Sequence, residues 1–90
     1  MRKITPGELY KITASQGFDG VENGTVMVRG LYAYQELKGA TQLIDVSPLV
    51  ENDPDLKQEQ WAVFSYTAES PNMNPHYALP ICLFQDIIAP

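Results

Sequence analysis

The single cysteine Cys82 and the single histidine His76 are the thiol and base that a Cys–His catalytic pair in this 90-residue sequence would use. Such a pair works when the thiol and its base come within hydrogen-bond reach. Here Pro80 separates them, and only an accident of folding would join them. The expectation is an exposed loop histidine and a core cysteine, with no catalytic residue and no enzymatic activity. One Cys and one His are too few ligands for zinc. The acids Glu51, Asp53, Asp55 and Glu59 offer oxygens of the kind calcium takes, but the loop pattern with its central glycine is missing. They read as a solvated, charged segment. Gly17-Phe18-Asp19-Gly20 has neither the lysine nor the glycine run that cradles phosphate. No metal and no cofactor are expected.

Two binding chemistries remain. Arg2, Lys3, Lys11, Arg29, Lys38 and Lys57 form no stripe, yet Arg2, Lys3, Lys11 and Arg29 gather on one side if the first two strands pair. Lys11 and Arg29, with Tyr10 as a stacking surface, are then candidate contacts for single-stranded RNA or DNA. The second chemistry is protein recognition. Tyr32 and Tyr34 lie two apart and so share one face if they stand in a strand. Trp61, Tyr66 and Tyr77 come from segments that can be neighbours, and aromatic grooves dock Pro-rich or other short segments. Tyr and Trp are also the usual energetic centres of interfaces. Asp53, Asp55 and Glu59, on an exposed segment, would add a negative rim suited to a basic partner. Half of these aromatics are needed for the core of so small a domain, and Trp61 is expected to be at least partly buried.

The chain has 11 acidic and 6 basic side chains, a net charge of −5. That field repels phosphate polymers and acidic membranes at long range. The apolar fraction of 44% fits a folded globule. A chain this short buries about 60–65% of its unfolded surface, enough for one core and one domain over residues 1–90. A lone cysteine excludes an internal disulfide and fits a reducing, cytoplasmic setting. Met1 to Pro6 carries charge with no apolar stretch behind it, so no signal peptide is read there, and no apolar run is long enough to span a bilayer. Oligomeric state is left open.

Frequent Gly and Pro cut the chain into short pieces rich in Tyr, Val, Ile, Leu and Thr, which is strand composition. Strands are expected at Glu8 to Ala14, Thr25 to Gly30, Thr41 to Val46 and Trp61 to Thr67. The second continues through Tyr34 past a bend or bulge at Gly30, and Pro48 ends the third. Residues 51–60 read as an exposed loop with one helical turn after Pro54. Tyr77 to Ile88 reads as an edge piece marked by Pro80, a short helical turn and a final strand. Tyr34 to Lys38 is a second place for a helix. The sum is an all-β domain, a small Src-homology-3-like barrel of five or six short strands with at most one short helix.

Gly17-Phe18-Asp19-Gly20 followed by Gly24-Thr25-Val26 resembles the KOW module among the small Src-homology-type barrels. There a strand leads to a loop with a large apolar residue and a glycine, and a second glycine opens the next strand. Pro6-Gly7-Glu8, Leu79-Pro80 and the stretch Phe84 to Ile88 resemble the approach to and close of such barrels. The resemblance implies a barrel fold and an association with nucleic acid. Asp19 and Glu22 stand where nucleic-acid-binding members tend to carry lysine.

The expected function is a non-enzymatic protein-interaction module of the kind a small accessory or virus-encoded inhibitor would be. It would contact its partner through Tyr32, Tyr34, Asp53, Asp55 and Glu59. The alternative is a KOW-like barrel that binds single-stranded nucleic acid through Lys11, Arg29 and Tyr10.

Overall fold

The computed structural model describes residues 3–13, 23–37, 47–67 and 76–89. The chain approaches its first strand through a tight turn. Pro6 presets its own φ, Gly7 takes φ +88°, and the Glu8 N–H reaches back to the Thr5 carbonyl at 3.3 Å. That is the Pro-Gly pairing a type II turn requires. Strand β1, Leu9–Ile12, pairs antiparallel with the long strand β2, Gly24–Ala33. Helix α1, Tyr34–Leu37, follows at once, and Glu36 accepts a hydrogen bond from the Ala33 N–H at 2.9 Å, closing its first turn. Helix α2, Ser47–Asn52, and a 3₁₀ turn, Pro54–Gln58, lead into β3, Gln60–Tyr66. Strand β4, Tyr77–Pro80, runs directly into α3, Ile81–Ile87. Pro80 lacks an N–H, so it ends the ladder and can start a helix.

The strands form one antiparallel sheet in the order β1-β2-β3-β4. The protein is therefore mostly β, with a few short helices. The expected barrel of five or six strands is not what these elements build, because the sheet is open. The free edge of β1 is taken not by β4 but by the residues after α3. Ile88 bridges Ile12, Thr13 donates to the Ile87 carbonyl at 2.9 Å, and Ala89 donates to that of Lys11 at 2.8 Å. Helix α3 thus straps one sheet edge to the other.

Both faces of the sheet carry a core. On the first face Tyr10, Ile12, Val26, Val28, Phe64 and Leu79 pack with Phe84 and Ile87 of α3. Ring contacts tie them, Tyr10 edge-on to Phe84 at 5.8 Å and Phe64 stacked on Tyr77 at 5.6 Å. On the second face Trp61, Val63 and Ala78 meet Leu37, Val50 and Leu56 from the helical segments. Strand β3 is consequently buried from Trp61 through Tyr66. A central strand covered on both sides reads as a near-continuous apolar run.

Several expected elements differ. Pro48 lies at the start of α2, where a missing N–H costs nothing. Within residues 51–60 the expected helical turn after Pro54 is the 3₁₀ turn, and α2 reaches into the segment as far as Asn52. The one expected short helix is joined by others, and Tyr34 begins α1 instead of extending β2. The expected strand Thr41 to Val46 and the loops 15–22 and 70–75 lie outside the described residues. Among those described, no helix is long and apolar enough to cross a membrane.

Candidate functional site

The second face is covered over β3 and β4 and open over β1 and β2. In β1 the alternation sends Tyr10 and Ile12 inward and leaves Leu9 and Lys11 exposed. Leu9 lies opposite Met27. In β2 the register slips between Val28, opposite Phe64, and Gly30, opposite Val63. The extra residue is a bulge, and it resets the parity of everything after it. Without it Leu31 would face solvent and Tyr32 the first-face core. With it Leu31 packs against the first core, and Tyr32 stands beside Trp61 on the second face. The Tyr32 ring folds back over Gly30; a Cβ built there would lie 2.6 Å from its Cε2. Glycine at this position makes room for the ring.

Leu9, 56% exposed, and Tyr32, 39% exposed, are the exposed large hydrophobic residues among those described, and both lie on this open half-face. Met27 lies opposite Leu9 in β2, Arg29 stands between that pair and Tyr32, and Lys11 follows Leu9 on the same face of β1. Arg29 is held from beneath. Its Nε donates to Oγ of Ser65 at 2.8 Å, and Ser65 is fully buried. This is a charge-assisted bond that orients the guanidinium and leaves its terminal nitrogens available.

The residues expected to act together are distributed as follows. Tyr32 is on the open surface. Tyr34 is half-buried and packs on Trp61, ring centroids 5.6 Å apart, so the two tyrosines do not share one strand face. Trp61, Tyr66 and Tyr77 are all buried and form no groove. Trp61 donates its indole N–H to the Leu56 carbonyl at 3.0 Å, pinning the 3₁₀ turn to the sheet. Asp53, Asp55 and Glu59 are exposed but have local tasks. Asp53 caps the turn by accepting from the Asp55 N–H, and Glu59 is its C-terminal cap.

Lys11 and Arg29 do share a face. Tyr10 is 2% exposed, on the other side of the sheet, with its hydroxyl accepting from the Thr5 N–H at 2.8 Å. It cannot stack on a base. Leu9 and Met27 escaped sequence reasoning, which treated them as strand filler; the exposed parity of Leu9 in a strand whose other face holds Tyr10 and Ile12 was the available signal.

Cys82 and His76 are half-buried, neither the core cysteine nor the exposed histidine expected. Burial pushes the Cys82 thiol above its ordinary value, and a hydrogen bond to Glu59 and the charge of that carboxylate push the same way. A nucleophilic thiol needs the opposite environment. Among the described residues no group of three or more His, Cys, Asp and Glu could hold a metal ion.

Comparison of the chain with family models, with curated proteins and with solved structures finds no match.

Proposed function

We propose that this protein is a non-enzymatic interaction module that binds another protein through the open half of its second sheet face. The observation that carries this reading is the placement of exposed Leu9, paired with half-buried Met27, and of exposed Tyr32 on one face, while the other half of the same face is covered by helices. A single exposed leucine needs no explanation, but both exposed large hydrophobic residues among those described on one half-face do. Fully burying a leucine is worth about 1.5–3 kcal/mol, which folding leaves largely unused at Leu9. Tyr32 adds a rigid amphipathic ring of the sort found at interface centres. A module without chemistry of its own acts by occupying a partner's surface, as an accessory or inhibitory subunit does. The likeness to KOW modules is a matter of sequence, because residues 14–22 lie outside the described ones. Burial of Tyr10 weighs against the nucleic-acid alternative.

The test is affinity purification from the native host with wild type and with the double variant Leu9→Thr/Tyr32→Ala. Threonine preserves strand propensity at position 9. A partner recovered by wild type and lost with the variant, at unchanged circular dichroism, supports the reading. A partner bound equally well by both would refute it.

A further inference from the structure

We infer that the partner presents to this face a short acidic segment carrying apolar side chains. The inference rests on the docking reading above and specifies its chemistry. Charge among the described residues is segregated. Lys11 and Arg29 flank the Leu9–Met27 pair, whereas the described acids lie off the open half: Glu8 at the turn before β1, Glu36 in α1 and Glu51 to Glu59 in α2 and the 3₁₀ turn, the segments that cover the other half of this face, and Asp86 in α3. Among the described residues neither Lys11 nor Arg29 has an acidic partner, and Ser65 fixes the direction of the Arg29 guanidinium. A planar, oriented guanidinium beside apolar side chains matches a carboxylate flanked by apolar residues.

What acts at the contact is local charge and not the net charge of −5. The molecule measures 31 × 30 × 23 Å, and screening at physiological salt sets in over about 8 Å. Acids farther than that from Lys11 and Arg29 therefore contribute little at the contact. A second copy of this chain is a poor occupant, because a twofold pairing through this face would set Lys11 and Arg29 against their own kind. Nucleic acid fits poorly too. Two cations neutralise two phosphates, a salt slope of only about −1.4 for a single strand, and the face adds Leu9 and Met27 where stacking platforms are aromatic.

The experiment selects random dodecapeptides displayed on phage against the full chain and measures the enriched peptides by fluorescence anisotropy. Enrichment of Asp and Glu beside Leu, Phe or Val is expected. Lys11→Ala/Arg29→Ala should weaken these peptides by about five- to tenfold, the sum of two surface charge pairs, and added salt should erase that difference. Enriched peptides without an acidic excess that still depend on Leu9 and Tyr32 would overturn the acidic inference and leave the docking face standing. Peptides indifferent to Leu9→Thr/Tyr32→Ala, or no enrichment at all, would overturn both. Binding of a random single-stranded oligonucleotide at micromolar level, lost with Lys11→Ala/Arg29→Ala, would overturn the inference in favour of nucleic acid.

Discussion

Arg29 donates from Nε to Oγ of Ser65, 2.8 Å away on the neighbouring strand. One partner is exposed and the other fully buried. The bond satisfies the buried hydroxyl and fixes the Arg29 Nε at Ser65 on β3, so one contact serves the fold and the surface together. Ser65→Ala separates the two roles. The freed Nε is near water and can be solvated, so the fold should lose about 1 kcal/mol or less. Affinity for the partner should fall several-fold. Urea unfolding and a binding titration on the same variant check both parts; a loss of stability above about 3 kcal/mol would show the serine to be chiefly a core residue.

Gly30→Ala acts on the neighbouring feature. The new methyl would meet the Tyr32 ring at 2.6 Å from Cε2 and 2.9 Å from Cζ. Those atoms are the far end of an exposed, rotatable side chain, so the ring swings away and the backbone stays. The fold should change by less than about 1 kcal/mol, since the ordinary strand penalty of glycine is also relieved. The Tyr32 ring resonances should shift in proton spectra, and partner affinity should drop. Unchanged ring resonances would mean that the ring does not cover Gly30.

Trp61 is the single tryptophan and is fully buried, so its fluorescence emission should be blue-shifted in the native state and move red on unfolding. Trp61→Phe removes the donor to the Leu56 carbonyl and leaves a cavity against Tyr34. A cost of about 2–4 kcal/mol is expected by denaturation followed with circular dichroism. A cost under about 1 kcal/mol would show that the 3₁₀ turn is held by other contacts.

Cys82 gives a prediction in pH. Its pKa is raised in the folded protein, first by burial and then by Glu59. The folded state thus holds the thiol proton more tightly than the unfolded chain. The associated stability is present below the ordinary thiol pKa and is lost as pH rises through the higher folded value. Glu59→Gln removes the charge, so alkylation of Cys82 by iodoacetamide at pH 8 should be faster in that variant than in wild type. Equal rates would place the carboxylate away from the thiol.

Much of the sheet was legible in the residues. Alternation in Leu9–Ile12 and in Thr25–Val28, the break at Gly30 and the Pro80 edge all appear where the pattern put them. The open sheet was not legible, because closure depends on which segment reaches the free edge of β1, and residues 88–89 do so, only after α3 has crossed the first face. The candidate site was half legible. Tyr32, Lys11 and Arg29 were singled out, but in two rival surfaces. Spacing alone put Tyr32 and Tyr34 together. The bulge and the onset of α1 then fixed their fates separately, and a bulge's effect on parity is felt only once the opposite strand is known. Tyr10 was misjudged because a tyrosine on an edge strand looks the same in sequence whether it faces solvent or Phe84.

The central claim is that a protein partner docks on the open half-face. It is tested most directly by titrating the isotopically labelled chain with the purified partner and following backbone amide shifts. The account predicts that the shifted amides cluster at Leu9, Lys11, Met27, Arg29 and Tyr32, with the 3₁₀ turn and α3 silent. Shifts centred on Asp53 to Glu59, or on the exposed side of α3 around Asp86, with the amides of β1 and β2 unmoved, would contradict it.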